Sequence, residues 1–138
     1  MNTVLKFFDD RVKRFGAPYF AFAVFGLINY PLSYFVRVHI QNSPESESFA
    51  LRFTATLLCL GLLLQKHWPQ RLKKFVPIYW YGTVTMAIPL LGAYLLMKNS
   101  FSIGWSMNYS TGVVILMLVL DWLMCLFSIV VGTIIAYL

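Results

Sequence analysis

Apolar residues in this chain come in long blocks divided by short polar stretches, and the blocks match the length of membrane-crossing helices. A helix needs roughly 20 mostly apolar residues to cross a bilayer. On that measure the pattern predicts spans near residues 17–36, 49–65, 75–97, 101–120 and 122–138. Pro18 and Pro77 sit where a proline suits the first turn of a helix, whereas Pro31 and Pro89 fall inside spans and predict kinks. Between the spans lie a polar loop over 37–48 with Glu45 and Glu47, a basic loop over 66–74 with Trp68 and Pro69, and a brief connection over 98–100. Arg52, near the start of the second span, is expected to snorkel to the near surface.

Residues 101–138 admit two readings. Either two short spans turn at Asp121, or one long helix starts near Thr111 and buries Asp121 near mid-bilayer, at a cost of about 2.5–3.5 kcal/mol. The cost favours two spans, although no Gly or Pro marks the turn. The fold class is therefore all-α: a polytopic transmembrane helix bundle of about five spans, four being the alternative, forming one domain over residues 1–138. Ahead of the spans, residues 1–15 place Val4, Phe8, Val12 and Phe15 at helical spacing opposite a charged face. That is the pattern of an amphipathic interfacial helix rather than a cleavable signal peptide.

Composition sharpens this picture. The chain is 59% hydrophobic and 12% charged, about half the charge of a soluble domain. A soluble enzyme and a disordered chain are both excluded. Cys59 and Cys125 lie in apolar runs, so no disulfide framework is implied. The net charge of +6 comes mainly from two clusters, Lys6, Arg11, Lys13 and Arg14, then Lys66, Arg71, Lys73 and Lys74. With five spans both clusters share one side, leaving Arg37, Arg52 and Lys98 opposite. The positive-inside rule then puts the N-terminus in the cytoplasm and Leu138 outside, in a multi-pass membrane protein. Nucleic acid is not an expected partner, because no separate basic domain exists.

Catalytic groups are missing. His39 and His67 fall on opposite sides, neither has a second ligand at metal-binding spacing, and there is no phosphate loop or paired carboxylate. The expectation is no catalytic residue, no metal and no cofactor. Ser128, Gly132 and Ala136 recur every four residues as a small-residue ridge that lets a second helix approach. Thr54, Thr56, Thr83 and Thr85 are expected only to bond their own helix backbone. The stretch 104–111 differs in collecting Trp105, Ser106, Asn108 and Tyr109 within two turns at the outer end of a span. Trp105 and Asn108 share a helix face, combining an apolar wall with a donor and an acceptor suited to a lipid-like ligand with a small polar head. An interfacial aromatic belt predicts the same residue types at this depth.

Taken in order, Pro31 to Phe35, Ala50 to Arg52, Trp68-Pro69 with Val76-Pro77, Pro89, Leu96-Met97, Trp105 to Met107, Asp121 and Ala136 to Leu138 resemble a known family. It is the membrane sensor region of quorum-sensing hybrid histidine kinases that detect α-hydroxyketone autoinducers, the Vibrio and Legionella type. The resemblance implies a six-span sensor followed by a cytoplasmic kinase, which usually works as a homodimer. A small hydrophobic signal, a long-chain α-hydroxyketone, would shift its balance between kinase and phosphatase states. It also implies that Trp105 lines the ligand pocket; at the position of a contributing Ser this chain has Asn108, whose amide is larger and bonds differently. No sixth span or kinase follows Leu138, so the chain reads as a truncated sensor or a natural remnant of one. A small transporter, using Arg52 and Asp121, and a structural or assembly subunit, using the 128–136 ridge, are the competing functions.

Overall fold

A computed structural model describes residues 3–42 and 48–138; the acidic part of the 37–48 loop lies outside the described residues. The architecture is the all-α membrane bundle the apolar blocks imply, with no strand among the described residues. Helix α1 is Thr3–Phe15, and Gly16, at φ +78°, ends it by donating its N–H to the Val12 carbonyl. A left-handed residue at this position favours glycine.

Among the described residues, three helices are long and apolar enough to cross a membrane. The first, Tyr19–Ile40, comprises α2 (Tyr19–Phe35) and a π-helical turn at Val36–Ile40. It stays helical through Pro31 and runs further than the sequence pattern suggested, so Arg37 and His39 belong to the span and not to the loop. The second, Phe49–His67, is α3 (Phe49–Leu63) tightened into a 3₁₀ turn at Leu64–His67. A short α4 (Gln70–Lys73) follows in the basic connection. The third, Val76–Lys98, is α5 (Val76–Thr85), a π-helical turn at Met86–Leu90 that contains Pro89, and α6 (Leu91–Lys98). Proline cannot supply the regular i→i−4 bond. The widened turn is how this helix absorbs it.

Two shorter apolar helices complete the bundle, α7 (Ile103–Val119) and α8 (Trp122–Tyr137). At 17 and 16 residues, they are about 25 Å long, slightly under the roughly 30 Å of hydrocarbon. The chain breaks between them as the cost of burying Asp121 suggested. Leu120 is extended, and the Asp121 carboxylate caps α8 by accepting the Met124 N–H. No Gly or Pro is needed, because an N-cap aspartate makes the break by itself.

Packing relies on small residues at helix crossings. Gly26 faces Cys59, close enough that a Cβ on Gly26 would lie 2.4 Å from the Cys59 sulfur. Ala23 and Ala55 are fully buried beside them. In a membrane such crossings gain through close van der Waals contact, since lipid is as apolar as the helices. Trp80, fully buried, meets Tyr19 and Phe22 edge-on at 5.1 and 5.2 Å. Helix α1 packs on this end of the bundle rather than only on lipid: Leu5 is buried, Phe8 lies 5.2 Å from the Tyr81 ring, and Arg11 forms an ion pair with Asp121. Val4 and Phe15 remain exposed.

The small-residue ridge of α8 is used inside this chain. Gly132 is buried against the Met86–Leu90 turn and Ser128 against the end of α5, where the Thr85 hydroxyl donates to Ser128 Oγ at 2.9 Å. Ala136 is half-buried. Thr54 and Thr56 do bond their own backbone, to the Ala50 and Arg52 carbonyls. Thr85 instead joins two helices, and the buried Thr83 hydroxyl has no hydrogen-bond partner among the described residues.

Candidate ligand-binding site

Contacts between neighbouring helices sort the polar residues to two ends of the bundle. One end carries α1, Trp68 against Tyr79, and Asp121 held by Arg11. The other carries Tyr34 against Phe49 and Arg37 over Trp105. At this second end a cavity of about 290 Å³ opens between α2, α3, the π-helical turn, α6 and α7. Its size is near the lower limit of small-molecule sites, about 300–1,000 Å³.

Along the first span the cavity lining grades from apolar, at Phe22 and Phe25, to polar, at Asn29, Ser33 and Arg37. Asn29, Ser33, Arg37, Arg52 and Asn108 supply the polar groups, while Phe22, Phe25, Ala87, Ile88, Leu91 and Ile115 line the remainder. Spacing along the first span explains its share of both sets: 22, 25, 29, 33 and 37 recur every three or four positions and so line one face. The Ser33 hydroxyl donates to Asn29 Oδ1 at 3.4 Å along that face. Across from it, the Tyr30 hydroxyl donates to the Ala87 carbonyl at 3.0 Å, tying α2 to the π-helical turn. Two glycines make room for α7: a Cβ at Gly92 would stand 2.8 Å from the Tyr109 ring, and one at Gly112 3.2 Å from Ile88. A π-helical turn flanks the cavity on each side, at Val36–Ile40 through Arg37 and at Met86–Leu90 through Ala87 and Ile88. Such turns are uncommon and gather at functional sites, where they re-aim side chains.

Arg52 departs furthest from its expected behaviour. It does not reach out to the near surface; it is 6% exposed and lines the cavity. The α2–α3 hairpin covers it, a long-range contact that local hydropathy does not register. A cation inside a membrane protein faces the bundle interior or a polar cavity, because lipid cannot solvate it.

The four residues of the 104–111 stretch are divided among three settings. Asn108 and Tyr109 line the cavity. Trp105 is buried outside the lining, with the Arg37 guanidinium 4.1 Å above its ring, so it supports a cavity residue. Ser106 faces a separate shallow groove beside Met107 and Ser110, and its hydroxyl donates to the Phe101 carbonyl at 3.3 Å. Asn29, Ser33 and Arg37 were not singled out from the sequence as ligand-binding residues, and Arg52 was singled out only as a snorkelling cation or part of a transport path. The three-and-four spacing of polar residues along one face of α2 was the available signal. Arg52 and Asp121, the pair a transport path would need, sit at opposite ends of the bundle.

No family model matches the chain, and no solved structure matches it. One similarity is informative. Over 118 residues the chain is 27% identical to the CAI-1 autoinducer sensor kinase/phosphatase CqsS of Vibrio cholerae. The likeness is to a sensor kinase. It covers 81% of this chain and 17% of that protein, so the similarity is confined to a membrane portion. Helical architecture and this relative together make the chain a membrane protein related to a sensor-kinase membrane region.

Proposed function

We propose that this chain is the signal-binding membrane region of a two-component sensor kinase, and that its ligand is an amphiphile of the long-chain α-hydroxyketone class. The observation that carries the reading is the mixed lining of the cavity, which grades from apolar to polar along the first span. Arg37, Arg52, Asn29 and Asn108 offer donors to a ketone and a hydroxyl, and the apolar remainder accepts an alkyl chain. The similarity to an autoinducer sensor supports the same reading. Eight basic residues belong to the α1 end and its loops, against Arg37, Arg52 and Lys98 at the cavity end. The positive-inside rule then orients α1 to the cytoplasm of the bacterial inner membrane and the cavity to the outer leaflet.

A route to output follows from the packing. The turn at Met86–Leu90 lines the cavity with Ala87 and Ile88 and touches α8 at Gly132, while Thr85, just before the turn, bonds Ser128. A ligand that displaces this turn displaces α8, which would bias a homodimeric kinase between its kinase and phosphatase states.

Binding is tested in micelles with a long-chain α-hydroxyketone, the matching ketone without the hydroxyl, and the matching alkane. The hydroxyketone should bind most tightly. Asn108→Leu removes one neutral hydrogen-bonding group, worth about 0.5–1.5 kcal/mol, and should weaken it by roughly three- to tenfold. Trp105→Ala should weaken it too, by freeing Arg37 from its platform, while leaving helix content unchanged. Equal affinity for all three compounds, or for the Asn108→Leu protein, would refute the assignment.

A further inference from the structure

The opposite end of the bundle holds a second composite groove, unrelated to the cavity. Between α1 and the start of α8 lies a recess of about 390 Å³ lined by Asp10, Arg11, Arg14, Phe15 and Trp122. It adjoins an almost wholly apolar groove of about 550 Å³ that follows α8 past Leu123, Leu126, Phe127 and Val130. Phe7 lines both, and Trp122 of the recess precedes Leu123 of the groove. Together they form one site with a charged head and an apolar tail.

The charges in the head are specific. Arg11 is committed to Asp121, whose side chain is 2% exposed, and this ion pair fixes α1 against the start of α8. Arg14 and Asp10 are both exposed and both line the recess, yet no ion pair joins them. The recess therefore presents one guanidinium and one carboxylate to a single occupant. Its setting is interfacial: α1 is amphipathic, and Trp122 is 72% exposed at the helix end, where amphipathic aromatics meet headgroups.

We propose that this composite groove binds one phospholipid with a primary-ammonium head, phosphatidylethanolamine. Its phosphate meets Arg14, its ammonium donates to Asp10, and one acyl chain lies along Leu123, Leu126, Phe127 and Val130. The head chemistry separates this lipid from its alternatives. A choline head has no N–H to donate, and a glycerol head brings no cation to Asp10 while its phosphate charge is repelled there. A second copy of the chain is disfavoured as occupant, because it would have to present both charges and an apolar strip in the same order.

The test is native mass spectrometry of the full chain from micelles holding equal amounts of palmitoyl-oleoyl phosphatidylethanolamine, phosphatidylcholine and phosphatidylglycerol. One retained phosphatidylethanolamine is expected, enriched roughly two- to fivefold over the others, the range of a single exposed ion pair. Asp10→Asn should erase the preference over phosphatidylcholine, and Arg14→Gln should lower retention of all three. Lys6→Gln removes a charge of α1 outside the recess and should change nothing. All three substituted residues are exposed, and circular dichroism checks that helix content is kept. Preferential retention of phosphatidylglycerol, equal retention of all three lipids by the unsubstituted chain, the same loss in Lys6→Gln as in Arg14→Gln, or a lipid-free dimer would each overturn the proposal.

Discussion

Gly132 supplies the sharpest test of how α8 is seated. A Cβ there would lie 2.8 Å from the Leu90 nitrogen, 2.9 Å from Pro89 Cβ and 3.1 Å from the Pro89 carbonyl carbon. Two of these atoms are backbone, in a turn whose ladder already bends around a proline, so neither can swing aside as a long side chain would. Gly132→Ala must push α8 away from the π-helical turn. Overpacking of this kind costs about 1–3 kcal/mol, while exchanging Gly for Ala inside a helix returns about 0.5–1 kcal/mol. The net expectation is destabilisation by roughly 1 kcal/mol, within a range of about 0–2.5 kcal/mol. Gly82 provides the control, since it lies within α5 and a Cβ there meets nothing within 4 Å. Gly82→Ala should keep the helix gain and stabilise by about 0.5–1 kcal/mol. The two variants are compared by denaturant titration in mixed micelles, following helix content, with oligomeric mass recorded in parallel. Loss of stability at unchanged mass is expected for Gly132→Ala, because the partner of Gly132 belongs to its own chain. A Gly132→Ala protein as stable as Gly82→Ala would sink the argument, and dissociation of an oligomer without loss of fold would move the ridge to an intermolecular interface.

Other consequences are equally open to measurement. Arg11→Met should destabilise by about 3 kcal/mol, the low end for leaving one partner of a buried pair uncompensated, because Arg11 itself is 23% exposed. Adding Asp121→Asn should recover much of that loss, and a double-mutant cycle without coupling would contradict the contact. Asp9 hydrogen-bonds Lys13 and holds its ammonium above its ordinary value of 10.5. The pair is thus intact below that value and is lost as pH rises through the higher folded value. Lys13 Nζ followed by NMR should titrate closer to 10.5 in Asp9→Asn, and an unmoved midpoint would exclude Asp9 as the cause. Ser100, at φ +51°, holds a left-handed conformation in the α6–α7 turn, which costs a non-glycine residue about 1–2 kcal/mol. Ser100→Gly should stabilise the protein by up to about 1 kcal/mol in thermal unfolding, and a lower midpoint would show that the turn draws on the serine side chain.

The architecture was legible in the chain because hydropathy is a local property. A block of apolar residues long enough for a bilayer is helical whatever its neighbours do, since lipid leaves the backbone no other donors or acceptors. Asp121 shows the same logic at one residue: the cost of a carboxylate in hydrocarbon marks the break between α7 and α8, and the N-cap bond to Met124 completes it. Asn108 and Tyr109 were legible as candidates for a similar reason, being polar groups clustered in an apolar stretch.

What the linear pattern left open depends on contacts between distant residues. Arg52 read alone is a cation near a helix end, free to reach water; only the α2–α3 hairpin turns it into a cavity residue. Trp105 read alone is a wall for a ligand, and only the arrival of Arg37 from the first span makes it a platform. The 128–136 ridge announced a close helix crossing, while the choice of partner fell to the bend at Pro89, which carries backbone up to Gly132. Hydrophobicity assigns residues to helices one block at a time, but it is indifferent to rotation about each helix axis. That rotation is set by small-residue crossings, interhelical hydrogen bonds and the Arg11–Asp121 ion pair, and it decides which polar groups meet.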